Sequence, residues 1–175
     1  MTQDEIDRRI ALARSVHESI PPERLVEGLA QLFDLKSDGA VDEFVCPAQD
    51  ATNRDRIFGG QVIVQAMMAA ARTVDPDKQV HSLHSYFLRG GQETLPLHFC
   101  VHRDFDGRRI SNRRVVVRQD GKVIFNLTAS FQLPEPGVSH QVPMPELMPP
   151  EKCWDYCDFI AADPDVPDAL IKRMA

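Results

Sequence analysis

Residues 58–74 read FGGQVIVQAMMAAARTV. Two glycines open the run after its phenylalanine, and the fourteen residues that follow contain no carboxylate. Val62, Ile63, Val64, Ala66, Met67, Met68, Ala69, Ala70 and Ala71 cover every side of the helix that this stretch predicts. A helix that is apolar nearly all round is a buried helix. At about 1.5 Å per residue it is roughly 20 Å long, short of the about 20 apolar residues that a bilayer requires. Small alanines and flexible methionines suit close approach by an enclosing layer. The segments downstream supply that layer.

Those segments read as strands over 80–89, 95–103, 110–118 and 122–133. Asp106-Gly107 and Asp120-Gly121 are hairpin signals between them. Upstream, residues 3–19 read as a helix with a stripe of Ile6, Ile10, Ala13 and Val16. Residues 22–34 form a second, with Leu25, Leu29, Leu32 and Phe33 on one face. Residues 36–39 read as a turn and 40–46 as a short strand, followed by a polar loop over 48–56. The predicted order is α, α, β, α, β, β, β, β: an α+β chain in which a curved antiparallel sheet encloses one central helix. From residue 134 to 150 there are six prolines, the composition of a linker or extended arm. Residues 151–160 suggest a short helix anchored by Trp154, and 168–174 another.

Net charge of −6 and a pI near 5.5 argue against nucleic acid as the main partner. The exception is local: Arg103, Arg108, Arg109, Arg113, Arg114 and Arg118 lie within sixteen residues, opposed only by Asp104 and Asp106. The four cysteines form no CxxC pair, which fits a reducing compartment. Cys153 and Cys157 share a helical face but lack the partners for a metal site. The polar, acidic start MTQDEIDRR has no signal-peptide core, so a cytoplasmic protein without a membrane span is expected.

FGGQVIVQAMMAA, then VHSLHSYFLRGG, then RRISNRRVVVRQDGKVIFNLTASFQLPEPG resembles the N-terminal half of the type II acyl-CoA thioesterases, which are double hot-dog proteins. The resemblance runs from about Leu25 to Gly137. It implies a hot-dog fold, a sheet wrapped around one long helix, and hydrolysis of fatty acyl-CoA to free fatty acid and CoA with no cofactor and no metal. It divides the chain into an N-terminal helical extension (1–36), a hot-dog domain (37–134), and a Pro-rich linker with the start of a missing second half (135–175). In the family the water-activating Asp lies on the central helix of the second half, assisted by a Thr or Ser and a Gln. The helix here has no acid, so this half is expected to act with a second hot-dog half or with another copy of itself through sheet-edge pairing. The alternative is a non-catalytic acyl-CoA-binding or regulatory module that pairs with itself. A hot-dog hydratase needs an Asp–His pair at the helix start, which FGGQ does not offer.

Hydrolysis needs a base for the attacking water and donors for the oxyanion. Gly59, Gly60 and Gln61, at a helix N-terminus, offer backbone N–H groups to an oxyanion or to a CoA group. Equally, the glycines are small because the helix start packs on a strand, and Gln61 either orients a water or caps the helix. His81 is the titratable candidate for acid–base work, against a hydrogen-bonded structural role. Its spacing of three from His84 puts the two on opposite strand faces. Arg108, Arg109, Arg113 and Arg114 suit the phosphates of CoA, or a solvated sheet face. Met67 and Met68 line an acyl tunnel or fill the core.

Overall fold

The computed structural model describes residues 1–17, 21–48 and 56–174; the side chains of residues 13–17, 157 and 172–174 fall outside that description. The predicted loop over 48–56 therefore lies almost entirely outside it, as do the side chains of Ala13 and Val16. The chain forms two compact units, one of residues 28–137 and one of residues 1–27 with 138–175.

The first unit is a six-stranded antiparallel sheet with one helix on it. Its elements are β1 (Lys36–Ser37), β2 (Glu43–Cys46), α3 (Gly59–Ala71), β3 (Gln79–Phe87), β4 (Leu97–Asp106), β5 (Ile110–Gln119) and β6 (Lys122–Gln132). The strand order is β1-β2-β4-β5-β6-β3. The predicted turn at 36–39 is thus partly a strand. Gly39 (φ +88°) and Asp42 (φ 62°) fold the chain back so that Lys36 pairs with Val45. In β5–β6 the turn forms as read, with positive φ at both Asp120 and Gly121, the requirement of a two-residue primed turn.

Period-2 alternation gives the sheet one apolar face. Val115 and Val117 of β5 and Phe125, Leu127, Ala129 and Phe131 of β6 are buried beside Phe99 and Val101 of β4. Against this face lies α3, with Val62, Ala66, Ala69 and Ala70 buried. The alanines present no side chain beyond Cβ, so the helix comes close to large sheet residues. At the helix end Arg72 donates to Leu35 O and pairs with Asp34 at 3.0 Å. Gln65, fully buried in mid-helix, donates Nε2 to Leu32 O at 2.7 Å and to Cys46 Sγ at 3.2 Å. Burial raises the Cys46 thiol pKa, which keeps it protonated.

Two carboxylates brace the sheet margin. Asp42 accepts two bonds from Arg103, at 2.7 and 2.9 Å, and Asp106 accepts one from Arg113 at 2.7 Å. These bonds hold both carboxyls below their ordinary pKa. A group depressed in the folded state stabilises it above its unfolded pKa, about 4, and that contribution disappears as pH falls through the folded value. Denaturation midpoints are therefore expected to drop from pH 6 to pH 3, and the Asp42→Asn variant should show a shallower drop.

The second unit packs α1 (Gln3–His17) with α4 (Tyr156–Ala162) and α5 (Asp168–Met174) around Ala161 and Ile171. Arg9 is buried there. It donates to Asp163 O and Val166 O, and its Nε lies 3.3 Å from Asp168. Trp154 is no anchor. It is 80% exposed and falls between a short 3-10 turn (Pro150–Lys152) and α4, so the expected single helix over 151–160 is two pieces. The helix α2 (Pro22–Leu32) spans the boundary between the units; its expected apolar stripe is only partly used, with Leu25 and Leu29 exposed.

Candidate functional site

The start of α3 is built from apolar contacts. Phe58 precedes the helix in extended conformation and supplies no side-chain cap; its carbonyl accepts the Gln61 N–H at 3.1 Å. Gln61 therefore has no backbone donor to offer a ligand. Gly59 and Gly60 N–H have no backbone acceptor among the described residues. A Cβ on Gly59 would stand 3.1 Å from the Phe87 ring, and one on Gly60 would stand 2.5 Å from the Phe58 ring. Both rings are more than half exposed, so an added Cβ at either glycine would meet a side chain with room to turn aside; one of the two rings belongs to β3.

The Gln61 side chain lines a crevice of about 10 Å³ with Cys46, Pro47, Ile57, Glu93, Leu95 and Leu97, roughly the room for one water. Behind it, the corner after β3 is fixed by Gln119. Its Oε1 accepts from Gln92 N and its Nε2 donates to Gln92 O and Leu95 O.

The other sequence candidates stand at the opposite end of α3. Phe87, which meets Gly59, is six residues from His81 along β3, roughly 20 Å at 3.3 Å per residue. His81 Nε2 meets Ser130 Oγ at 2.9 Å. The expected opposition of His81 and His84 fails. A bulge between Val80 and Ser82 makes His81 the extra residue, and its ring reaches the face of β6 that carries Thr128, which is opposite His84. One inserted residue reverses a parity argument.

Arg113 belongs with neither ligand nor solvent. It is 1% exposed, and its guanidinium donates to Thr73 Oγ1, Thr73 O, Phe105 O, Asn112 O and Asp106. No N–H remains for a phosphate. The signal was present in β5. Val115 and Val117 face the core, so alternation puts Arg113, Ser111 and Gln119 on the core face and Arg114, Val116 and Arg118 on the other. Arg109 pairs with Glu135 and Arg114 with Asp104, both partly exposed; Arg108 stands exposed in the β4–β5 turn. The structure therefore gathers Gly59, Gly60 and Gln61 at one end and His81 with the arginines at the other. Among the described residues no group of three or more His, Cys, Asp or Glu is placed to hold a metal ion.

A family described as the acyl-CoA thioesterase N-terminal domain matches residues 47–132. The chain belongs to that family. Among its relatives, acyl-coenzyme A thioesterase 8 of Homo sapiens is 44% identical over 115 residues, 63% of this chain and 36% of that protein. The acyl-CoA thioesterase II TesB2 of Mycobacterium marinum is a solved structure at 41% identity and a TM-score of 0.63, covering 70% of this chain and 45% of that one. An Alicyclobacillus acidocaldarius protein of unknown function with a hot-dog fold gives a TM-score of 0.60 at 22% identity, over 71% of this chain and 47% of that one. The thioesterase N-terminal domain is thus a hot-dog domain, with α3 as its central helix and β3 at its free edge. The chain spans between a third and a half of the length of these relatives. No helix among the described residues is long and apolar enough to cross a membrane.

Proposed function

We propose that this thioesterase N-terminal domain is one half of a cytoplasmic acyl-CoA hydrolase, acting on acyl-CoA and water to give free fatty acid and CoA. The working acid comes from a second hot-dog half. The observation that carries this reading is the combination of the family match with an α3 that has no carboxylate anywhere along it. A water attacking a thioester needs a base, and the crevice beside Gln61 is far too small for an acyl chain. In this reading the acid on a second half serves as the base, and that half supplies the remaining walls of the acyl site.

The place for the second half is the edge of β3. This strand ends the sheet, and both its faces are exposed, with Leu83, Tyr86 and Phe87 each about half accessible. An uncovered edge strand with apolar side chains invites pairing. Gly59 and Gly60 then present backbone donors to the substrate, and His81 is kept as a brace of β3 instead of a base, because it lies far from them.

The test is release of free thiol from a fatty acyl-CoA. The 175-residue chain alone is expected to give less than about 1% of the rate of a chimera in which residues 1–137 are followed by the remaining half of the M. marinum enzyme. Comparable turnover by the chain alone overturns the proposal. The same exposed edge also favours a second reading, a self-pairing module that binds acyl-CoA without cleaving it. Acyl-CoA binding by a dimer, with no thiol release from either form, would select it.

A further inference from the structure

The corner between β3 and β4 is pinned on both sides of one carboxylate. Gln119, on the core face of β5 and 5% exposed, accepts the Gln92 N–H at 2.8 Å and donates Nε2 to Gln92 O and Leu95 O at 2.8 and 3.0 Å. Both polar atoms of that buried carboxamide are thus bonded to the residues that flank Glu93 and Thr94. Gly91 is buried as well, and a Cβ there would stand 3.2 Å from both Ile57 and Ile124. Its carbonyl accepts the Ile57 N–H at 3.0 Å, which ties the corner to the chain entering α3. Glu93 is thereby held, partly buried, in the wall of the crevice that Gln61 also lines.

A crevice of about 10 Å³ has room for one water, and such a space is wet only where polar groups meet it. Gln61 brings a carboxamide that both donates and accepts, and Glu93 a carboxylate that accepts. Ile57, Leu95 and Leu97 bring apolar wall. The crevice adjoins the first turn of α3, one residue on from Gly60. It therefore stands next to the backbone donors assigned above to the substrate. A carboxylate at the positive end of a helix is favourable in itself, but that role calls for neither a clamp on both sides of the residue nor a water-sized space beside it.

We propose that Gln61 and Glu93 seat the water that attacks the thioester, while the acid of the second half removes its proton. The inference rests on the acyl-CoA reading and gives this half a part in the chemistry beyond its backbone donors. The Glu93 carboxylate accepts one hydrogen of the water, the Gln61 amide donates to its oxygen, and the second hydrogen faces the acid. As the water oxygen bonds to the thioester carbon, the acid takes that second proton. The C–S bond then breaks, and the proton passes to the departing CoA sulfur. The hydrogen held by Glu93 stays with the fatty acid, so Glu93 keeps its charge throughout.

The chimera with the second half of the M. marinum enzyme, assayed on a fatty acyl-CoA with and without hydroxylamine, tests this through the split of product between free acid and hydroxamate. E93A and Q61A are each expected to lower kcat about thirtyfold with KM within about threefold, the pattern of a misplaced nucleophile. Each should also raise the hydroxamate share at least about fivefold, because the emptied crevice no longer selects water. Q61A/E93A should lose little more than either single variant, since both side chains hold one molecule. A parent-like product split in E93A overturns the water seat whatever its kcat, because a merely structural Glu93 would not alter the choice of nucleophile. A kcat within about threefold of the parent in E93A also overturns it, and both outcomes leave the acyl-CoA reading standing. A chimera that releases no thiol overturns both proposals.

Discussion

Arg113→Ala is expected to lower the unfolding free energy by about 3–5 kcal/mol, the range for removing one partner from a buried charged network. The side chain makes five bonds from a position 1% exposed to solvent. Two of them reach Thr73, just past the end of α3, and one reaches Phe105 O at the bulge in β4. One residue of β5 thus fastens the helix end to the sheet and fills the acceptors that the bulge leaves open. Truncation strands the Thr73 carbonyl and hydroxyl in a buried place, at about 1–3 kcal/mol for each unsatisfied group. Arg113→Lys should recover less than half the loss, because an ammonium has three donors and no planar fork. The check is the urea midpoint at constant slope. A loss below about 1 kcal/mol for Arg113→Ala would mean that water replaces the guanidinium and that the site is wetter than its burial suggests.

That residue also marks the limit of what could be read from the chain. The helix at 59–71 was legible because no other arrangement buries an all-round apolar run, and the strands because Val115, Val117 and the Asp120-Gly121 turn are local signals. Arg113 was misassigned by grouping charges along the sequence, when alternation within β5 already separates it from Arg114. The two ends of α3 were not legible. Gly59 and His81 are 22 positions apart in sequence, and only the return of β3 along α3 shows that they sit at opposite ends. The bulge at His81 has no composition of its own. The strand order, with β3 beside β6 and not beside β4, is decided by long-range pairing that a local pattern does not encode. Lys36 and Ser37 are polar and only two residues long, so their pairing with β2 left no trace in the pattern.

Phe125→Ala is expected to cost about 3–5 kcal/mol, while Phe87→Ala in the same chain should cost no more than about 1 kcal/mol. The two rings are directly cross-strand neighbours, with centroids 4.8 Å apart, and differ mainly in what else surrounds them. Phe125, near the start of β6, is fully buried; Phe87, at the sheet edge, is 55% exposed. Removing the first opens a cavity under α3, whereas removing the second takes away a ring that is half in water. The difference between the two losses therefore reports how far β3 is covered in solution. If the chain pairs through its free edge, Phe87 is buried by the partner. Its replacement then becomes expensive, and the midpoint of the parent rises with protein concentration while that of Phe87→Ala does so less. Equal costs for the two variants at high concentration, separating on dilution, would show that the exposed face of β3 is an interface. A cost for Phe87→Ala that stays small at every concentration would leave the edge open, waiting for the second half.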